Sequence, residues 1–318
     1  MPVSLVATVL NESSSIAALL DSILAQERLP DEVVIVDGGS RDGTLEALRS
    51  YAGRLPLQTI EAPGCNISQG RNRAIAAAQG EIIAVTDGGV RLDPRWLSEL
   101  VGPATQGAIA CGFFVPDARG TFEVALGATV LPAVAEIDPR RFLPSSRSVA
   151  FPKEAWQRVG GYPENLDYCE DLVFDLRLRQ AGYPLAWVPQ AIAHFRPRPS
   201  LAAFFRQYYR YARGDGKANL WLGRHVARYT AYLWALLVLG ASIAGAWTTP
   251  IWAAMAVGGA YYVYRPYRRL WPWLPGLPWR DRLGAVFYVP LIRLTGDVAK
   301  MVGYPVGLWW RLRNTVTA

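Results

Sequence analysis

Between Arg228 and Arg265 the chain runs 36 residues, 229–264, without one Asp, Glu, Lys, Arg or His. A stretch of that length and apolarity has to be buried in protein or in lipid. One spanning helix takes about 20 residues. Thr248-Thr249-Pro250 near the middle therefore predicts two short helices joined by a turn. Arg224 and Arg228 precede the run, and Arg265, Arg268 and Arg269 follow it. By the positive-inside bias both ends belong on the cytoplasmic side, which makes the run a helical hairpin. Tyr229, Tyr232, Tyr261, Tyr262 and Tyr264 fall where interfacial aromatics collect. A core hairpin of a water-soluble protein would leave the basic flanks without a purpose.

Charge is divided along the chain in the same sense. Residues 1–200 hold 18 Lys and Arg against 23 Asp and Glu, whereas residues 201–318 hold 15 against 3. Nine of the twelve Trp also lie in the second stretch, so the two parts are different physical objects. Nucleic acid is disfavoured as a partner, because the basic residues border apolar runs instead of forming a polar groove. Trp271-Pro272-Trp273-Leu274-Pro275 suits a loop at the headgroups. Residues 283–310 are apolar but interrupted by Arg293, Asp297 and Lys300, which share one helical face. That pattern predicts an interfacial helix, with a third span as the alternative. Residues 1–10 lack the basic start of a signal peptide, and Cys65, Cys111 and Cys169 are too few and irregular for a zinc or disulfide framework. The expected location is the inner membrane with the acidic part facing the cytoplasm.

The acidic part alternates strand and helix. Residues 3–10 are an apolar run suited to a buried parallel strand, followed by a cap at Ser13 to Ser15 and a helix through Ile16, Leu19, Leu20 and Ile23. Strands are also predicted over 32–36, 57–60 and 81–86, with a helix over 68–79. The alternation implies an α/β, doubly wound, mostly parallel sheet, whose ligands sit at the carboxyl ends of its strands. Three of those ends are polar: Asn11-Glu12, Asp37 and Asp87. Such side chains hold a base and ribose, or a divalent cation. No G-x-G-x-x-G or P-loop pattern is present.

Taken in order, Thr8-Val9-Leu10-Asn11-Glu12, Val36-Asp37-Gly38-Gly39-Ser40-Arg41-Asp42-Gly43-Thr44, Gly70-Arg71-Asn72-Arg73-Ala74, Asp87-Gly88-Gly89-Val90-Arg91-Leu92-Asp93-Pro94, Glu170-Asp171 and Gln207-Tyr208-Tyr209-Arg210-Tyr211 resemble the signature of family 2 glycosyltransferases of the GT-A fold. The resemblance covers residues 3–215 and implies a catalytic domain over 1–215. A membrane-associated helical region would follow over 216–318, with the hairpin at 229–264 and the further helix at 283–310. It also implies transfer of one sugar, with inversion, from a UDP- or GDP-sugar to a hydroxyl of a lipid-linked or membrane-proximal glycan acceptor. The family resemblance makes Asp171 the catalytic base and gives Asp37 the nucleotide base, helped by Asn11 and Glu12. Arg71, Glu170, Gln207, Arg210 and Tyr211 join the substrate site. Asp87 is the first acid of the family's D-x-D and would reach the ribose or a cation, Mg²⁺ or Mn²⁺, with His194 as a second ligand. The second acid of that pattern is Gly89 here, and Tyr211 replaces the Trp of Q-x-x-R-W. The competing readings are a membrane scaffold that keeps the fold without activity, and a nucleotidyltransferase.

Overall fold

A computed structural model describes residues 1–245 and 249–314. In chain order its elements are β1 (Val3–Val9), α1 (Ile16–Leu24), β2 (Glu32–Asp37), α2 (Thr44–Tyr51), β3 (Leu57–Glu61), α3 (Ile67–Ala77), β4 (Ile82–Asp87), β5 (Val90–Leu92), α4 (Trp96–Thr105), β6 (Ile109–Pro116) and α5 (Thr121–Val130). There follow β7 (Val149–Pro152), α6 (Lys153–Arg158), α7 (Glu170–Gln180), β8 (Leu185–Phe195), α8 (Leu201–Lys217), α9 (Leu222–Ile243), α10 (Thr249–Leu270) and α11 (Trp279–Asn314). They form two compact units, Met1–Asp117 with Val134–Arg196, and Ala118–Ala133 with Pro197–Ala318. By packing, α8 goes with the second unit, whereas the sequence expectation carried the first domain to residue 215.

The first unit is built on an eight-stranded sheet of order β3-β2-β1-β4-β7-β6-β8-β5. Its half from β3 to β4 is parallel, as the aliphatic runs require. β7 runs antiparallel to β4 and β6, and β5 antiparallel to β8. Alternate side chains enter two separate cores. Val33, Ile35 and Ala84 pack with α1, α2 and α4 on one face, while Val34, Val36 and Val85 pack with α3, α6 and α7 on the other. Helices therefore cover both faces, as the doubly wound reading expects. In the ladder Asp37 lies level with Val9 and Asp87 level with Thr8, so the carboxyl ends of β2 and β4 flank the end of β1.

The second unit is helical. The 36-residue α11 lays a stripe of buried residues, among them Val289, Ile292, Gly296, Ala299 and Gly303, against its neighbours. This recurrence of three and four is the seam of a packed helix pair. Contact with α8 is backbone to backbone: a Cβ at Gly303 would lie 2.2 Å from the Tyr209 carbonyl oxygen, and one at Gly307 2.1 Å from that of Arg213. Two helices, α9 and α10, occupy the stretch where a hairpin was expected, and the expected turn at Thr248 falls outside the described residues. Among the described residues only Leu222–Ile243 is long and apolar enough to cross a membrane. Trp271–Gly276 is a 3₁₀ helix, where a loop was expected, because its prolines tolerate a short tight turn.

Gly303→Leu is expected to destabilise the second unit by about 2 kcal/mol or more, since an overpacked contact here meets backbone that cannot swing aside. Thermal unfolding of the purified chain in detergent, followed by helical circular dichroism, measures this; an unchanged midpoint would contradict the close packing.

Candidate active site

At the carboxyl end of β2, Asp37 is fully buried. Its Oδ1 accepts the backbone N–H groups of Gly39 and Ser40, both at 2.7 Å. Oδ2 is buried without a partner. A buried carboxylate oxygen left over in this way costs free energy until a donor reaches it. The neighbouring loop after β1 is pinned to the same turn. Asn11 N–H donates to Ser40 Oγ at 2.8 Å, Asn11 Oδ1 accepts from Arg41 N–H at 2.9 Å, and Glu12 N–H donates to Thr44 Oγ1 at 2.9 Å. Asp42 caps this turn and its Thr44 hydrogen bond holds its carboxyl down at about 2. Glu12 itself accepts from Ser15 Oγ.

The centre of the site is Arg71, only 2% exposed. Asn66 and Gln69 form a capping box that starts α3, and Gly70 lets the helix close on β1, since a Cβ there would lie 2.6 Å from Thr8 Cγ2. Arg71 is thereby driven inward. Nη2 donates to Asp87 Oδ1 at 2.7 Å and Nη1 to Glu170 Oε1 at 2.6 Å. The next residue, Asn72, ties down the segment leading to α7, donating to the Tyr162 carbonyl and accepting from Tyr162 N–H, both at 2.9 Å. Sequence reading placed Arg71 against substrate. Its guanidinium instead spans two protein carboxylates, because the close approach at Gly70 carries it below the surface.

Asp171 opens α7 beside Glu170, after Cys169 in a left-handed conformation at φ 64°. It is half-buried, and its Oδ1 accepts Leu172 N–H at 2.8 Å. Burial and the adjacent Asp171 raise the Glu170 pKa against the pull of Arg71. Burial works to raise Asp87 as well, but the Arg71 and Arg147 guanidiniums outweigh it and hold that carboxyl below its usual range. One turn along α7, Asp175 is 3% exposed with Oδ2 unpartnered, and burial pushes its pKa well up. Asp175 and Arg147 carried no signal in the sequence beyond their residue type. Arg147 Nε lies 3.6 Å from Asp87 Oδ2, and its guanidinium sits 5.0 Å from the Phe195 ring centroid.

His194 lies on β8, with Nε2 2.7 Å from Asp93 Oδ1. Its expected place as a ligand beside Asp87 is not formed by any contact there, and the partner it has is the acid after β5. Gln207, Arg210 and Tyr211 lie on α8 in the second unit, where Gln207 Nε2 donates to Tyr211 Oη at 2.9 Å.

Residues 4–160 match the model of glycosyl transferase family 2, and residues 139–310 that of glycosyl transferase family group 2. The chain belongs to the family 2 glycosyltransferases. Over 240 residues it is 29% identical to the succinoglycan biosynthesis protein ExoA of Rhizobium meliloti, covering 65% of this chain and 67% of that one. It is 24% identical over 224 residues to the O-antigen chain rhamnosyltransferase RfbN of Salmonella typhimurium, covering 64% and 71%. In fold it resembles the mannosyltransferase PcManGT of Pyrobaculum calidifontis, solved with GDP-Man and Mn²⁺, with a TM-score of 0.64, 22% identity and coverage of 94% and 86%. This family 2 transferase shows no ready-made cluster of three or more metal-ligating side chains among its described residues. Its donor set still suits a cation that shares its shell with substrate, a mode needing only one or two carboxylates plus phosphate oxygens. Asp87 supplies one. Glu12 comes beside the position of the missing acid, since a Cβ at Gly89 would lie 3.5 Å from Glu12 Oε2.

Arg71→Met is expected to cost about 3–5 kcal/mol, because it strands two carboxylates in a buried site. Urea denaturation measures the loss, and a change below about 1 kcal/mol would refute the clamp.

Proposed function

We propose that the chain transfers one sugar, with inversion, from a UDP- or GDP-sugar to a hydroxyl of a lipid-linked or membrane-proximal acceptor during polysaccharide or glycan assembly. The observation that carries this reading is the Arg71 bridge, which ties the end of β4 to the start of α7 and so sets Asp171 next to the strand ends. Asp37 Oδ2 is the free acceptor for a nucleobase N–H, with the Asn11-Glu12 loop closing beside it. Asp87 faces the ribose and diphosphate.

In the transfer step the acceptor oxygen attacks the anomeric carbon from the face opposite the nucleotide. Asp171 takes the hydroxyl proton as the new C–O bond forms, and the bond to the diphosphate breaks with its electron pair leaving on the nucleotide. Asp87 and Glu12 would hold a divalent cation, Mg²⁺ or Mn²⁺, together with the donor's diphosphate, and when bound it would supply charge neutralisation for that leaving group. Glu170 keeps its carboxylate on Arg71 and orients the start of α7. Gln207, Arg210 and Tyr211 serve the acceptor side. The basic residues around α9 and α10 anchor the chain at the cytoplasmic face of the inner membrane. The ExoA and RfbN relatives support the assembly role through their named activities.

Asp171→Asn is expected to lower kcat at least about 100-fold while leaving the nucleotide-sugar Kd within about twofold, because the amide keeps the shape and loses the base. Nucleotide release in the presence of a membrane lipid extract, alongside calorimetric binding of UDP- and GDP-sugars, separates the two quantities. Absence of turnover by either protein would favour a scaffold without activity, and equal non-zero turnover would remove Asp171 as the base.

A further inference from the structure

The second unit holds a half-open cavity of about 530 Å³ among α5, α8, α10 and α11, which the transfer chemistry does not use. Four cationic side chains line it, Arg265, Arg269, Arg293 and Lys300, against one carboxylate, Asp297. That carboxylate is already committed. Its Oδ1 accepts from Arg228 Nε at 2.8 Å, and its Oδ2 accepts from Tyr262 Oη at 2.6 Å and Tyr232 Oη at 3.2 Å. Arg293 stacks its guanidinium 4.4 Å from the Tyr262 ring centroid, and its Nε is buried without a hydrogen-bond partner. Lys300 Nζ sits 4.8 Å from the Tyr208 ring centroid. Rings of this kind orient a cation without neutralising it. An excess of positive charge in a confined, partly apolar space calls for an anion.

The rest of the lining says what the anion is attached to. Phe204, Ile292 and Val130 make one wall apolar, and Tyr261, which also lines the cavity, is 77% exposed. Next to the lining residue Gly258 on α10, Val257 is 70% exposed. Tyr261 thus marks an exposed edge of the cavity on a helix that also offers apolar side chains outward. A free small anion would need only the interior. An amphiphile with an anionic end uses both parts.

We infer that this cavity binds the phosphate or diphosphate end of a phosphate-bearing lipid, with Arg293 and Lys300 on the phosphate oxygens and the lipid chain leaving past Tyr261. The inference rests on the reading above that the acceptor is lipid-linked, and it gives that acceptor's phosphate a place in the second unit. The same chemistry is carried by a polyprenyl diphosphate and by a phosphate headgroup of the bilayer.

The test uses the full chain in detergent and three probes: farnesyl diphosphate, dioleoyl phosphatidic acid and inorganic pyrophosphate. Saturable binding of either lipid is expected, weakened about tenfold or more in Arg293→Gln and in Lys300→Gln and largely kept in Arg293→Lys. Which lipid binds identifies the source of the phosphate. Binding of neither, or equal binding by wild type and both Gln variants, overturns the inference. So does pyrophosphate binding as tightly as farnesyl diphosphate, since the chain would then contribute nothing. Nucleotide-sugar binding by each variant, expected unchanged, confirms that the protein is folded. If Asp171→Asn abolishes transfer while Arg293→Gln leaves the lipid KM untouched, the enzymatic reading stands and the cavity falls. If Asp171→Asn changes nothing while lipid binding follows Arg293, the reverse holds.

Discussion

Everything at the first unit's strand ends depends on one buried guanidinium. Asp87, Glu170, Asp171 and Asp175 bring four acids to β4 and to a single turn and a half of α7. Without a cation among them the repulsion and the burial would both work against folding. Arg71 answers by spanning Asp87 and Glu170 with its two terminal nitrogens, which a lysine's point charge cannot do. Even so, Glu170 and Asp175 remain shifted upward by burial, so the network is not neutralised in excess. Asp171 stays outside the hydrogen bonds of the clamp, half-buried and accepting the next backbone N–H. In the proposed reaction the clamp thus leaves Asp171 for the chemistry.

The second unit solves a different problem, that of holding together helices whose outward faces stay apolar. It uses two devices. Glycines at 303 and 307 bring the α11 and α8 backbones into contact, and Asp297 gathers Arg228, Tyr232 and Tyr262 from α9 and α10 onto α11. Tyr229 adds a hydrogen bond to the Met301 carbonyl. A polar hub of this kind fixes the register of helices whose outward faces are too uniform to do so.

Legibility in the sequence followed burial. β1, β2 and β4 were readable because a strand covered on both faces must be apolar throughout, and their acidic ends stood out against that background. β7 was not, since four residues that join antiparallel between β4 and β6 carry no period of their own. Nor was the membership of α5, whose apolar residues pack against α10 and α11 in the second unit although they lie within the first unit's stretch of chain. Arg71 was visible as a motif residue, but its direction was not: whether an arginine points at a ligand or at its own protein is set by the approach that Gly70 permits. Arg147 shows its part only once the fold brings it to Asp87 and Phe195, far off in the chain.

The departure at Gly89 gains a physical sense from the loop after β1. A side chain at 89 would begin 3.5 Å from the Glu12 carboxylate, and one at Gly88 would lie 2.8 Å from Val9 Cγ1. An aspartate at 89 would therefore crowd a second acid onto Glu12, next to Asp87, with repulsion added at each step. With glycine there, the β4–β5 turn closes on the β1 loop and leaves one carboxylate, Glu12, beside that position. Glu12 is in turn fixed by Ser15 and by its backbone bond to Thr44, on the same turn that Asp37 organises. In the proposed reaction the nucleobase contact and the second acid of the cation site thus share one loop. There Glu12, from the loop after β1, stands in for the acid that the family pattern places in the turn after β4.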